Sequence, residues 1–391
     1  MTTRSPSATP LSHATSGVTG LYVHIPFCHL RCAFCAFYLQ LHTEAEVATF
    51  LQSLRAEISW YAQHISFPAR AIQTIYLGGG TPTTLHAEQL TDILDQLRAT
   101  FSVSPQAEIT VEGHPETVSL AQLRALKDAG VTRLSLGAES LNAHELLRVG
   151  RPADATGPHR AVALAREAGF HNVNLDLMYD LPGQTLASWT TTLEGIVALH
   201  PTHISCYALT VEPGTALAHT VSQGTRPAPD PDRQRQFELA AEAHLARAGY
   251  HRYELSNYAR PGWECQHNRL YWEGGHYLGL GPSAESYLDG VRFGNVADLS
   301  RYASALRQGD SPVDHREPLT PLQQDREALV FGLRQLEGVD RTLVERLSAD
   351  RLWRSKLDEL IADGLVDLSE RGLRLTPKGR HLADSVAVEL M

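Results

Sequence analysis

The chain has 391 residues, 43% of them hydrophobic and 20% charged, enough to bury the cores of two or three domains without disulfide staples. Thirty-four Lys+Arg against 44 Asp+Glu give a formal charge of -10, which excludes a protein built first to hold the phosphate backbone of nucleic acid. No apolar run approaches the ~20 residues of a membrane span, and residues 1–19, rich in Ser, Thr and Pro, read as a disordered leader rather than a secretory signal.

From Leu21 the chain alternates short β-branched or aromatic runs with segments of helical period, the pattern of successive βα units around a parallel sheet. Strands are expected at 21–25, 72–77, 108–112, 133–136, 173–178 and 203–207, with helices at 44–61, 87–98, 120–129, 157–168 and 186–199. Polar or glycine-rich residues follow nearly every strand at its carboxyl end, the edge where parallel α/β folds bind ligands. Six units rather than eight imply a partial TIM-type barrel over residues 20–225, open on one side.

A Pro-rich stretch at 226–231 then introduces a helix at 234–248, and residues 226–317 are expected to extend the ligand side of the barrel. Beyond Pro318 the order is helices, a hairpin of 365–368 with 373–375, and a last helix, which makes residues 318–391 a winged-helix-like domain. That segment holds 11 Lys+Arg and 13 Asp+Glu, so a protein-contact or lid role is expected there in place of DNA binding.

Of the five cysteines, Cys28, Cys32 and Cys35 are crowded together while Cys206 and Cys265 stand alone, which is no disulfide framework. Three thiolates on the loop leaving the first strand can hold three irons of a 4Fe-4S cluster and leave the fourth iron open. A structural zinc ion would need a fourth ligand, from His24 or His29, since the chain has no second cysteine pair.

The C-x3-C-x2-C spacing resembles the radical S-adenosylmethionine superfamily, and Gly78-Gly79-Gly80-Thr81-Pro82 resembles the glycine-rich motif with which that superfamily bonds the cofactor's amino group. Through Tyr22-Val23-His24-Ile25-Pro26-Phe27-Cys28 and the runs 133–142 and 174–184, the chain is similar to the coproporphyrinogen-dehydrogenase-like branch from about Leu21 to its C-terminus. The resemblance implies an α/β fold, a partial (β/α)6 barrel, with the 4Fe-4S cluster on Cys28, Cys32 and Cys35. It also implies that Tyr22, Phe34, Gly79, Gly80, Thr81, Glu112, Glu139, Arg151 and Asp176 contact S-adenosylmethionine. Two departures touch a second cofactor site: Glu139 stands where the family usually has Gln, and Pro152-Ala153 replaces the residues that commonly follow Arg151.

Within the branch, dehydrogenases end the cysteine motif with C-x-C. Here Cys35-Ala36-Phe37 has Phe in that place, as the HemW-type haem chaperones do. The stretch Cys265-Gln266-His267-Asn268-Arg269-Leu270-Tyr271-Trp272 resembles the H-N-x-x-Y-W motif of the same chaperones. In it His267 is a candidate iron ligand, Cys265 a candidate thiolate or attachment point, and Tyr271 with Trp272 candidate packing for a macrocycle. Read without a ligand, His267 and Asn268 would cap a turn while the aromatic pair fills the open side of the barrel. The resemblance implies a cytoplasmic protein that binds haem and delivers it to an acceptor such as a membrane respiratory enzyme, with an electron donor for its cluster. Its competitors are a coproporphyrinogen dehydrogenase, a radical methyltransferase and a non-catalytic zinc protein.

Overall fold

Side chains along a β-strand point alternately to two sides, and here the residue types keep those sides apart. The six strands are β1 (Gly20–Ile25), β2 (Ile72–Gly79), β3 (Val103–Gly113), β4 (Arg133–Glu139), β5 (Asn172–Tyr179) and β6 (His203–Ala208). One side carries Leu21, Val23, Ile75, Leu77, Val111, Leu134, Leu136, Leu175 and Ile204, all buried in a single apolar cluster. The other carries Tyr76, Glu112, Arg133, Ser135, Asn174, Asp176 and Ser205, which line a cavity. In this computed structural model, which describes residues 18–64 and 71–391, the six strands run parallel in chain order. The fold is the α/β partial barrel that the sequence leads one to expect.

Helices α1 (Glu44–His64), α2 (Ala87–Thr100), α3 (Leu120–Asp128), α4 (Gly157–Glu167) and α5 (Leu186–Ala198) return the chain between strands. They bury Phe50, Leu54, Ile93, Leu97, Leu123, Val162 and Leu193 in the same cluster, so the apolar core lies outside the strands, not within them. Side-chain caps fix their starts: Ser119 accepts from the Gln122 amide and Thr185 from the Ser188 amide.

Residues 226–317 add strands to both sides of the six. Tyr277–Leu280 pairs in parallel with β1 and leads into antiparallel Glu285–Leu288, Val291–Asn295 and Val313–Pro318, while Asn257–Ala259 and His251–Arg252 add antiparallel strands beyond β6. The stretch is thus divided between the two edges of an open barrel, each of which offers unpaired backbone groups. Among the described residues the sheet has twelve strands. Helix α6 (Pro231–Arg247) packs on α5, where Trp189 Nε1 donates to the Phe237 carbonyl at 3.0 Å. It starts ahead of the expected 234 because proline suits the first helical position and Asp230 caps the amides of Asp232 and Arg233.

Residues 1–17 of the expected leader lie outside the described residues. Val18 and Thr19 do not belong to it: Val18 is buried in the core, and the Thr19 amide donates to the His276 carbonyl at 3.0 Å. At the other end of the chain, Pro321–Gly332, Arg341–Leu347 and Arg351–Ala362 precede the hairpin Val366–Leu368 and Gly372–Leu375, with Val339–Asp340 as a third strand. Leu329, Val344, Trp353, Leu357, Leu373 and Val386 give this part its own core. Among the described residues no helix is long and apolar enough to cross a membrane.

Candidate cofactor and ligand site

The chain leaves β1 through Phe27–Cys28, which pairs in parallel with Gln40–Leu41, so the loop between them starts and ends at one place. On it Cys28, Cys32 and Cys35 are free, partly buried thiols that line one cavity of about 1280 Å³. Backbone bonds tie the loop down: Thr81 N donates to Phe27 O at 2.7 Å, Ala33 N to Val149 O at 3.0 Å and Leu217 N to Ala33 O at 2.8 Å. Burial pushes the Cys28 thiol up against the pull of the Thr81 hydroxyl, and the Cys32 thiol up to about 11 against that of Arg151.

This all-sulfur donor set fits a 4Fe-4S cluster, with an arginine at hand to favour thiolates. Among the described residues no three His, Cys, Asp or Glu side chains gather as they would around a single ion. A cluster gives each thiolate its own iron and does not require such convergence.

The next strand end is shaped by close approach. Gly79 has φ +103°, and a Cβ there would lie 2.5 Å from the His24 ring; a Cβ on Gly80 would lie 2.7 Å from Phe27 O and 2.9 Å from Ile25 O. Thr81 Oγ1 is 3.4 Å from Cys28 Sγ. Glu112 is held between the Tyr76 hydroxyl, which donates to Oε1 at 2.7 Å, and the Gly79 amide, which donates to Oε2 at 3.2 Å. Burial pushes its carboxyl up to about 7.

At the end of β4, Glu139 takes a left-handed backbone (φ 54°) where the register with β5 shifts, and its carboxylate pairs with Arg151. Gly137 leaves room for the pair, since a Cβ on it would lie 2.8 Å from Glu139 Oε1. Asp176 accepts from Ser135 Oγ at 3.2 Å and Asn174 Nδ2 at 2.8 Å, while Asn174 Oδ1 is bonded to His203 Nδ1 and Ser205 Oγ. Phe34 lines the cavity and packs beside Val149, Leu181 and Leu217.

The cavity therefore gathers the three cysteines with Phe34, Gly79, Gly80, Thr81, Glu112, Glu139, Arg151 and Asp176. Tyr22 is not among its lining residues. Its hydroxyl is bonded to His24 Nδ1 at 3.0 Å, and it lines a second cavity of about 570 Å³. Tyr76, Arg133, Ser135, Asn174 and Ser205, none of them expected from the motifs, also line the first cavity. The signal was available, because each falls on the polar side of an alternating strand.

The helix Gln266–Trp272 and its N-cap carry the two haem-ligand candidates His267 and Cys265, both engaged by the protein's own side chains. His267 is 1% exposed, with Nδ1 bonded to Thr74 Oγ1 at 2.8 Å and Nε2 to the Tyr271 hydroxyl at 2.7 Å, so both ring nitrogens are engaged within the protein. Cys265 is wholly buried, its thiol directed at Glu108 Oε1 at 3.6 Å and pushed up to about 12 by burial. The cause is packing: the helix lies against the amino ends of the strands, where Leu270 contacts the Cβ-free Gly20 and His267 stacks on Tyr76. These two residues form the floor of the barrel. Tyr271 and Trp272 do line the second cavity, with Tyr22, Tyr277 and Phe331, and Trp272 Nε1 is buried without a partner.

Residues 22–195 match the model of the Radical SAM superfamily and residues 319–382 that of the HemN C-terminal domain. The heme chaperone HemW of Mycobacterium tuberculosis (strain ATCC 25618 / H37Rv) is 38% identical over 95% of this chain and 94% of its own length. Its counterpart in Bacillus subtilis (strain 168) is 33% identical over 93% of this chain and 97% of its own, and that in Escherichia coli (strain K12) 33% over 94% and 96%. Among solved structures, coproporphyrinogen III oxidase (HemN) from Escherichia coli, a radical SAM enzyme, superposes with a TM-score of 0.83 at 28% identity, over 96% of this chain and 90% of that one. With its cysteine loop, its glycine-shaped strand end and this likeness over nearly its whole length, the chain belongs to the HemW family of radical SAM proteins.

Proposed function

We propose that the protein is a haem chaperone, which holds a 4Fe-4S cluster with S-adenosylmethionine, takes up haem and passes it to an acceptor protein. Phe37 carries the reading. It stands where the dehydrogenases of the branch have a further cysteine, and it is 66% exposed on the rim of both cavities. Full-length likeness to heme chaperones from three bacteria supports it.

Cys28, Cys32 and Cys35 would hold three irons, and a cluster bound there supplies one-electron reducing chemistry to S-adenosylmethionine. Gly79 and Gly80 would let the cofactor approach the backbone, Glu112 would accept from its ammonium, and Asp176, oriented by Ser135 and Asn174, would accept from ribose hydroxyls. Thr81 and Phe34 would border the cofactor, the ring excluding water from that wall. Arg151 is already neutralised by Glu139, so it would meet a cofactor carboxylate as half of an ion pair. We place the protein's work in the cytoplasm, with an electron donor for the cluster, a haem enzyme such as a membrane respiratory complex as acceptor, and no nucleic acid.

The test uses cluster-loaded protein under anaerobic conditions, titrated with haem by absorbance and then given coproporphyrinogen, S-adenosylmethionine and a reductant. Saturable haem binding without a decarboxylated product is expected. Decarboxylation without haem binding would replace this reading with the dehydrogenase one.

A further inference from the structure

The C-terminal part of the chain supplies a wall to the cavity that the thiols line, through Arg380 and His381 beside Arg252 and Arg334. His381 Nδ1 is hydrogen-bonded to Glu238 Oε2 on α6, and Glu238 Oε1 accepts from Arg252 Nη2 at 2.6 Å. The imidazole and its carboxylate are each 12% exposed. A carboxylate at Nδ1 draws the proton of a neutral imidazole to that nitrogen and leaves the lone pair on Nε2, to which no described residue is hydrogen-bonded. Histidines that bind metals are oriented, and made more basic, in this way.

Cations line the same wall. Arg252 is committed to Glu238 and Glu242, Arg380 Nη1 pairs with Glu242 at 3.3 Å and Arg334 lies over the Trp272 ring, but the Nε atoms of Arg334 and Arg380 are buried without a hydrogen-bond partner. Buried guanidinium donors left unbonded call for an anion, and carboxylates match their geometry. An iron porphyrin presents the complementary set: a metal with an open axial position and two propionates at its edge.

We propose that this wall seats the haem, with His381 Nε2 on the iron and Arg334 and Arg380 on the propionates. The assignment rests on the haem-chaperone reading, and it replaces His267, whose two ring nitrogens are taken. It places cargo in the same cavity as the cysteines, against a wall supplied by the HemN-type C-terminal region.

The experiment titrates haem into the full chain, cluster-loaded so that the three thiols are occupied, and compares the parent with His381→Ala and His381→Asn. The Asn variant keeps a donor for Glu238 and removes only the iron-binding nitrogen. Both variants are expected to shift the haem absorption maximum and to weaken binding by about tenfold or more, with unchanged cluster iron. Added imidazole should restore the parent spectrum in His381→Ala, an effect that a merely structural role would not produce. In the parent, haem dimethyl ester should bind more weakly than haem, and Arg334→Met should reduce that difference. A parent that binds no haem would overturn the chaperone reading and this assignment together. A parent that binds haem with a spectrum indifferent to both His381 variants would overturn the assignment alone.

Discussion

Replacing His267 with alanine separates a floor residue from an iron ligand. The imidazole bonds Thr74 Oγ1 at 2.8 Å and the Tyr271 hydroxyl at 2.7 Å, stacks on Tyr76 with ring centroids 5.2 Å apart, and meets Tyr271 edge-on at 4.8 Å. Alanine leaves both hydroxyls without that partner at about 1 kcal/mol or more each, and forfeits aromatic packing of about 0.5–1.5 kcal/mol. With the void left under Gly20, the expected loss of stability is about 3–5 kcal/mol. Anaerobic urea unfolding followed by circular dichroism measures it, beside a haem titration at a temperature where both proteins are folded. The variant should unfold far more readily yet bind haem while folded. A variant with the parent's stability that had lost the haem spectrum would refute the argument and return His267 to the iron.

The same imidazole has a pH signature: burial lowers it to about 3, so between pH 6.5 and 3 the unfolded chain binds the extra proton, and the parent's stability relative to His267→Gln should fall as pH drops below 6.5. Glu57 acts in the opposite sense. Bonded by Gly281 N, Asn295 Nδ2 and the Tyr302 hydroxyl, it is raised by burial from 4.5 to about 7, and the folded state keeps its proton longer. The parent's stability relative to Glu57→Gln should therefore fall by about 3 kcal/mol as pH rises from 4.5 to 7, then level off; a flat difference would contradict the burial argument. Iron analysis after anaerobic reconstitution should find about four irons per chain in the parent and in Cys206→Ala, and none in Cys28→Ala, Cys32→Ala or Cys35→Ala. Gly80→Ala should lose iron as well as cofactor affinity, because its methyl group would press on the carbonyls of Ile25 and Phe27 at the root of the cysteine loop; full iron content in that variant would show the two sites to be separable.

The barrel was legible because its strands alternate cleanly and its cysteines and glycines lie close in sequence. β3 was read as starting at 108, but it begins at Val103, since Pro105 hides a strand whose first pairing, Ile72 with Val103, precedes a register shift. The edge strands between 251 and 295 were hidden because their glycine-rich, aromatic sequence carries no helical or alternating period. The surroundings of His267 were hidden for a different reason. The motif records neighbours along one helix, Tyr271 among them, whereas Thr74 and Tyr76, which engage the other side of the imidazole, lie nearly two hundred residues away. His381 was illegible on the same ground, since its carboxylate partner Glu238 sits on α6, 143 residues earlier.

A barrel most of whose apolar side chains face outward is held together by its jacket of helices, not by what fills it. Changes to Ser135, Asn174 or Ser205 alter what the hollow can recognise while leaving the cluster of Leu77, Val111, Leu134 and Leu175 intact. Loss of one methylene from that outer layer is felt throughout. Stability and chemistry are thus written on opposite faces of the same strands, which lets one be revised without the other. Such a division suits a fold shared by an oxidase in one relative and chaperones in others.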